Sequence, residues 1–161
     1  MLELLVVLTL IAILSAGATL QLGSAYQTAR FDHIVDEICF LDRQVRDYCH
    51  RYRRTAALKF HIDDASISAT MGTDQVTKLR MPRGVKIAEV MLPDRSMKQG
   101  LSEIYVSPLG QDTYAIQLVG HNEQMVWLLF SGITGQVTTL GSRSEVEDVF
   151  ETIRPQRIDI D

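Results

Sequence analysis

A long uncharged segment at the amino terminus constrains this chain more than any other feature. The first 29 of its 161 residues contain a single charged side chain, Glu3, and an apolar run from Leu4 to Leu22 follows it, LLVVLTLIAILSAGATLQL. A helix of about 20 apolar residues is long enough to cross the hydrocarbon core of a bilayer. A carboxylate in that layer costs roughly 2.5–3.5 kcal/mol on insertion scales. The segment therefore predicts a membrane-anchoring helix whose carboxylate finds a partner or reaches the interface.

A cleaved secretory signal is the alternative interpretation of this segment. The apolar part of such a signal usually spans about 7–15 residues, behind a basic stretch and before a cleavage site with small residues. No basic residue precedes Leu4 here, and the apolar run is longer, although Ala16-Gly-Ala18 fits a cleavage site. We therefore favour the anchor.

The rest of the chain is charged and of modest size. A length of 161 residues allows one domain beyond the anchor. The net charge of −4 gives no basic surface of the kind that binds nucleic acid, so no nucleic-acid partner is expected. Cys39 and Cys49 are ten residues apart, which on one helix is about 15 Å. That exceeds the roughly 7 Å limit for a disulfide, so we expect none between them.

A stripe of apolar residues predicts that the helix continues beyond the anchor. The stripe repeats at intervals of three and four residues, the spacing of one helix face, and we expect it to pack on the head: Phe31, Ile34, Ile38, Leu41, Val45, Tyr48 and Tyr52. The opposite face carries charges of both signs: Asp32, Asp36, Arg43, Arg46, Asp47, Arg53 and Arg54. We predict one unbroken helix from about residue 2 to residue 54. A coiled coil is the alternative use of such a stripe.

The sequence after the helix predicts strands. Leu58, Phe60 and Ile62 alternate with polar residues, which is typical of a half-buried strand. Further strands are predicted at 66–71, Val85–Leu92, Ile104–Ser107, Thr113–Val119, Met125–Phe130 and Gln136–Leu140. Met125–Phe130 is continuously apolar, so we expect it to be central in its sheet. Ser144-Glu-Val-Glu147 has the spacing of a capping box and predicts a short C-terminal helix.

These elements predict an α+β fold, because an antiparallel sheet with one apolar face needs a cover and the helix stripe supplies it. The predicted fold class is a long N-terminal helix, with a transmembrane half and an amphipathic half, packed on an antiparallel β-sheet head. The predicted parts are residues 1–25, the transmembrane half; 26–54, the amphipathic half; and 55–161, the β-rich head.

Residues 1–14, MLELLVVLTLIAIL, resemble the N-terminus of the type IV pilin and type II secretion pseudopilin family. Glu3 matches the family's glutamate, and Leu4–Leu22 match the transmembrane half of its first helix. Phe130-Ser-Gly-Ile-Thr-Gly-Gln-Val-Thr-Thr-Leu140 is similar to the C-terminal strand pair of the H-type minor pseudopilins and their FimT-like relatives. The basic leader, the glycine and the Phe-Thr pair of the family's N-terminal methylation motif are not in this sequence. We therefore expect a misassigned start codon or a trimmed chain.

The resemblance implies a minor pseudopilin of a type II secretion system, single-pass in the inner membrane with a pilin-like head in the periplasm. Glu3 would set the assembly register by pairing with the N-terminal ammonium of a neighbouring subunit. The resemblance implies contact with other pseudopilins through the N-terminal helix, and contact with the inner membrane. Secreted cargo or the outer-membrane secretin is a further implied partner. A minor pilin of a type IV pilus or of a DNA-uptake machine is the alternative, and a signal-anchored periplasmic binding domain is an alternative from a different class.

No motif in the chain predicts catalysis. His33 and Glu37 are one helical turn apart, but no further pair completes the four ligands of a zinc site. G-x-S-x-G, phosphate-loop and H-E-x-x-H motifs are absent from the sequence. Glu145, Glu147 and Asp148 lie in a helical pattern, so we do not assign the calcium loop of the major pseudopilins. We expect no enzyme activity, cofactor or metal.

Overall fold

The computed structural model describes residues 2–72, 75–121 and 124–153; within these ranges the side chains at 2, 4–5, 12–25, 75 and 111 lie outside the described ones. Within the described ranges, two helices flank ten strands. The elements are α1 (Leu2–Tyr52), β1 (Ala56–His61), β2 (Ser66–Met71), β3 (Gln75–Arg80), β4 (Lys86–Met91), β5 (Ser96–Met97), β6 (Leu101–Ser107), β7 (Gly110–Gln111), β8 (Tyr114–Val119), β9 (Met125–Phe130), β10 (Val137–Leu140) and α2 (Arg143–Ile153).

Helix α1 is one continuous element of 51 residues. No proline interrupts it, since Pro82 is the first in the sequence. It ends at Tyr52 because Arg53 adopts a left-handed conformation with φ of 54°, which the α-helix does not accommodate. The helix predicted over residues 2–54 is thus present and ends two residues earlier.

The strands form two antiparallel sheets of five strands each. Sheet A has the order β3-β2-β1-β6-β7, and sheet B has the order β10-β9-β8-β4-β5. At one end of sheet B, Met91 lies opposite Ala115 and Ala115 lies opposite Leu129, whereas the β4–β8 register shifts between Ile87 and Glu89. β9 lies between β10 and β8, so it is an interior strand, but β8 is the central one.

The predicted fold class, with a transmembrane half-helix and a single pilin-like sheet, is wrong. The head contains two sheets, and sheet B is apolar on both faces: Leu128 and Phe130 belong to the core that includes α1, whereas Trp127 and Leu129 pack with Val146 of α2. Each face needs its own cover. Among the residues that the structure describes, no helix is long and apolar enough to cross a membrane. Most of the Leu4–Leu22 run, on which the transmembrane prediction was based, falls on side chains outside the described ones.

The main core is formed by α1 together with both sheets. Phe31 packs against Gly120, which follows β8; a β-carbon on that glycine would lie 2.6 Å from the Phe31 ring. About four turns later, Arg46 lies beside Gly135 in the turn between β9 and β10. α1 therefore runs along sheet B from the end of β8 to the β9–β10 turn. We call the latter end of the head the distal end.

Helix α2 starts earlier than its predicted capping box. The backbone N–H of Glu145 donates to Ser142 Oγ at 3.4 Å, and Glu145 Oε2 accepts from the backbone N–H of Gly141 at 3.1 Å. The box is therefore Ser142 to Glu145, and the predicted Ser144 to Glu147 pair is wrong. Arg143 instead lies at the first helical position, where its guanidinium reaches the buried carboxylate of Glu89 at 3.3 Å.

Strand β3 is the longest of three described strands that the sequence did not reveal, the others being the two-residue strands β5 and β7. Its exposed positions Val76, Lys78 and Arg80 alternate with half-buried ones, so neither face is strongly apolar. β3 is an edge strand that pairs only with β2. An edge strand with charged side chains gives a weak signal because it contributes little to the core.

Candidate functional site

The two parts of α1 differ sharply in exposure. The Glu3 side chain is exposed, and the five described apolar side chains near it are about half exposed, between 49% and 56%: Val6, Val7, Leu8, Leu10 and Ile11. Further along the same helix, Phe31 to Val45 include five apolar side chains that are at most 4% exposed. The head thus covers the second half of α1 and leaves the described side chains at its start uncovered.

The predicted packing residues do not all lie in the core. Phe31, Ile34, Ile38, Leu41 and Val45 are buried, Tyr48 is half-buried, and Tyr52 is 58% exposed. A spacing that averages 3.5 residues drifts by about 20° per heptad around a helix of 3.6 residues per turn. By the third heptad the buried position has passed from Tyr48 to Cys49, which is fully buried and donates through Sγ to the Val106 carbonyl at 3.3 Å. The Tyr52 ring packs against Tyr48 at the end of the helix, with ring centroids 4.9 Å apart and the planes tilted by 39°.

A buried polar network joins α1 to sheet B. Asp42 is 1% exposed; its Oδ2 accepts from Arg46 Nε at 2.6 Å, and its Oδ1 accepts from the Tyr114 hydroxyl at 2.9 Å. Burial, and then the negative charge of Asp42, raise the pKa of Tyr114 well above its usual value. The Tyr114 ring stacks on Phe130 at 4.6 Å with the planes 5° apart. These contacts fix the rotation of α1 about its own axis relative to sheet B.

Sequence reasoning missed this network. It placed Arg46 on the solvent face and did not single out Asp42. The structure leaves the Arg46 side chain only 12% exposed. One signal in the sequence could have predicted the pair: Asp42 and Arg46 are four residues apart, the spacing of an ion pair on a helix, and they lie next to the apolar stripe.

A cleft of about 860 Å³ lies at the distal end, between α1 and two turns. α1 contributes Arg43, Arg46, Asp47 and His50, and the opposite wall comes from the β6–β7 and β9–β10 turns. The two turns meet where a β-carbon on Gly110 would lie 3.5 Å from the Gly132 carbonyl oxygen. The cleft is wide and shallow, so it resembles a contact surface more than an enclosed ligand pocket.

The titratable side chains of the described residues do not converge on a metal or catalytic site. No group of three or more histidine, cysteine, aspartate or glutamate side chains in the described ranges could hold a metal ion. His33 pairs with Glu37 at 3.5 Å on the exposed side of α1, and His61 Nε2 lies 3.2 Å from Ser68 Oγ. Cys39 and Cys49 are both free thiols, and burial raises the pKa of each. The absence of enzyme activity, cofactor and metal stays a prediction.

Comparison with family models, with curated proteins and with solved structures finds no match to this chain.

Proposed function

We propose that this protein is a structural assembly subunit, a minor pseudopilin of a type II secretion system located at the inner membrane with its head in the periplasm. The observation that carries the proposal is the contrast along α1: side chains near its start are about half exposed, whereas those from Phe31 to Val45 are buried. The secretion system, the membrane location and the partners rest on the resemblance of residues 1–14 and 130–140 to that family.

The exposed start of α1 needs a cover that the described part of the chain does not supply. Val6, Leu10 and the neighbouring apolar side chains form a continuous apolar surface, and such surfaces mark contacts with lipid or with other proteins. Among the described side chains, the first that belongs to the core of the head is Phe31, so Val6 and Leu10 are not part of that core. Segments of this kind from neighbouring subunits would cover one another in a filament, and lipid would cover them before assembly.

The position of Glu3 suits a role in aligning neighbouring subunits at one assembly register. Its carboxylate is exposed in the first turn of α1, where it also complements the positive end of the helix dipole. Inside a bundle of apolar helices this carboxylate would be costly unless paired. The N-terminal ammonium of a neighbour would supply the pair at one register only, and this is the assembly role that we propose for Glu3.

A signal-anchored periplasmic binding domain is the second candidate function, and the cleft beside Arg43 is the observation that favours it. A volume of about 860 Å³ falls within the range of ligand sites. Its wide opening is the feature that counts against it. The same structural observations also suit a minor pilin of a type IV pilus or of a DNA-uptake machine.

Photo-crosslinking in native membranes tests the proposal. A benzoylphenylalanine placed at Leu10 should yield adducts with other filament subunits, whereas the same probe at Lys78, on the exposed β3 edge, serves as the matched control. Adducts with lipid alone at Leu10, in cells that secrete normally, would contradict the assembly role.

A further inference from the structure

Two neighbouring turns at the distal end form an apolar protrusion. Leu109, between β6 and β7, is fully exposed, and Ile133, between β9 and β10, is 86% exposed. Both line the same cleft as Arg43 and His50 of α1. An exposed aliphatic pair on adjacent turns is costly in water, so this protrusion is suited to entering a pocket of a partner.

A pocket with buried apolar side chains at its base lies beside α2, and we call it the α2 pocket. It has a volume of about 310 Å³, and its apolar wall includes the buried side chains Met91, Leu92 and Phe150. Glu147 and Glu151 of α2 line it as well. The α2 pocket therefore has apolar side chains at its base and a charged rim, on which Asp94, Glu147 and Glu151 outnumber Arg95 and Arg143.

The protrusion and the α2 pocket lie at the same end of sheet B but on opposite faces. The register places Met91, at the end of β4, in the same row as Leu129, near the end of β9, so the turns that follow these strands share the distal end. α1 packs on the face that contains Leu128, and α2 packs on the face that contains Trp127. One chain therefore cannot insert its own protrusion into its own pocket.

We infer that the occupant of the α2 pocket is the Leu109–Ile133 protrusion of a second copy of this chain. Because the two surfaces differ and lie at the same height on opposite faces, the contact is heterologous and joins copies side by side. Their α1 helices would then point in the same direction, as subunits anchored in one membrane require. The inference rests on the proposed function for that shared orientation, but the contact itself depends on the head surfaces alone.

The charges around the two surfaces are complementary. Helix α2 is acidic: its exposed residues include Glu145, Glu147, Asp148 and Glu151, and its one basic residue, Arg143, is engaged with Glu89 and Glu147. Arg95, just before β5, is the exposed base that lines the same pocket. The end of α1 and the residues just after it are basic, with exposed Arg43, Arg51, Arg53 and Arg54 against Asp47 of the same helix and Asp112 of the facing cleft wall. Within the described ranges none of these four arginines has a carboxylate within ion-pair distance. Complementary patches of this kind select partner and orientation.

Charge reversal in the full-length protein tests the contact. In detergent at low salt, analytical ultracentrifugation should show that Arg43→Glu and Glu151→Arg each weaken self-association by about tenfold or more, because like charges then face each other. The double variant restores the attraction between copies and should recover association. Lys78→Glu and Asp64→Arg are matched reversals at exposed positions away from both surfaces, and they should associate as the wild type does.

Three results would overturn the inference: a wild-type chain that stays monomeric, single reversals that associate like the wild type, or a double variant that stays as weak as the single ones. The Glu3→Leu variant separates this contact from the proposed function. If it abolishes filament incorporation and leaves the charge-reversal pattern intact, both proposals stand. If incorporation survives while the reversal pattern holds, the register role fails and the head contact remains.

Discussion

Asp42 of α1 accepts a hydrogen bond from the Tyr114 hydroxyl of β8 at 2.9 Å, between α1 and sheet B. The two residues are 72 positions apart in the sequence, so the contact ties the N-terminal helix to the central strand of sheet B. Arg46 supplies the compensating charge at 2.6 Å. A buried ion pair of this kind adds little stability over an apolar replacement, but removing one partner leaves an uncompensated charge.

Loss of the Asp42 carboxylate should therefore destabilise the head more than loss of the Tyr114 hydroxyl. Asp42→Ala leaves a buried guanidinium unpaired, and we expect a cost of about 3–5 kcal/mol in the free energy of unfolding. Tyr114→Phe removes one hydrogen bond and keeps the stacking on Phe130, so a cost of about 1–2 kcal/mol is expected. Urea denaturation of the full chain in detergent measures both. If Asp42→Ala is as stable as Tyr114→Phe, the Asp42 carboxylate is not the partner that compensates the charge of Arg46.

The same tyrosine gives the head an alkaline limit. Burial and the charge of Asp42 raise the pKa of Tyr114 in the folded protein, whereas the unfolded chain ionises near 10.0. Above that pH the unfolded state binds fewer protons than the folded one, so stability falls as pH rises. The contribution is fully present below about pH 10 and is lost above it.

Unfolding free energies of the wild type and of Tyr114→Phe, measured from pH 8 to pH 11, test this behaviour. The phenylalanine variant lacks the titrating group, so the stability difference between the two proteins should shrink above pH 10. Curves that stay parallel across the range would refute the assignment of the alkaline transition to Tyr114.

A matched pair of substitutions on α1 tests which face packs on the head. Ile38 is 3% exposed and Phe40, two residues later, is 61% exposed. Ile38→Asp should cost several kcal/mol, since it removes buried apolar contacts and buries an unpaired charge. Phe40→Asp should change the free energy of unfolding by less than about 1 kcal/mol. Thermal melting distinguishes them, and similar melting temperatures for both variants would be incompatible with the described orientation of α1.

The sequence predicted the elements of this fold better than their assembly. The stripe from Phe31 to Val45 and the alternation around Phe60 are local patterns, and the structure has a helix and a strand there. The split into two sheets depends on how β4 and β8 pair across a long separation, which no local pattern encodes. The apolar run of β9 was read as a central strand, whereas it marks a strand with a helix on each face.

Polar contacts within the head were the hardest to foresee. Arginine is usually a solvent-facing residue, so the sequence gives no sign that Arg46 is nearly buried. The burial of its partner Asp42 depends on the hydrogen bond from Tyr114, a residue far away in the sequence. Ser142 and Ser144 are equally good capping residues by type. The choice between them follows from the Arg143–Glu89 pair, which joins residues 54 positions apart.

The Glu3→Leu variant gives the most direct test of the assembly role. Crosslinking of the variant to neighbouring pseudopilins, measured in native membranes beside the wild type, should fall sharply because the carboxylate that selects the register is gone. Membrane association and the melting of the head should not change, since the Glu3 side chain is exposed and the core begins at Phe31. Glu37→Leu, which removes an exposed carboxylate elsewhere on α1, should crosslink normally. Wild-type crosslinking and secretion with Glu3→Leu would contradict the register role and, with it, the central claim that this chain is an assembly subunit.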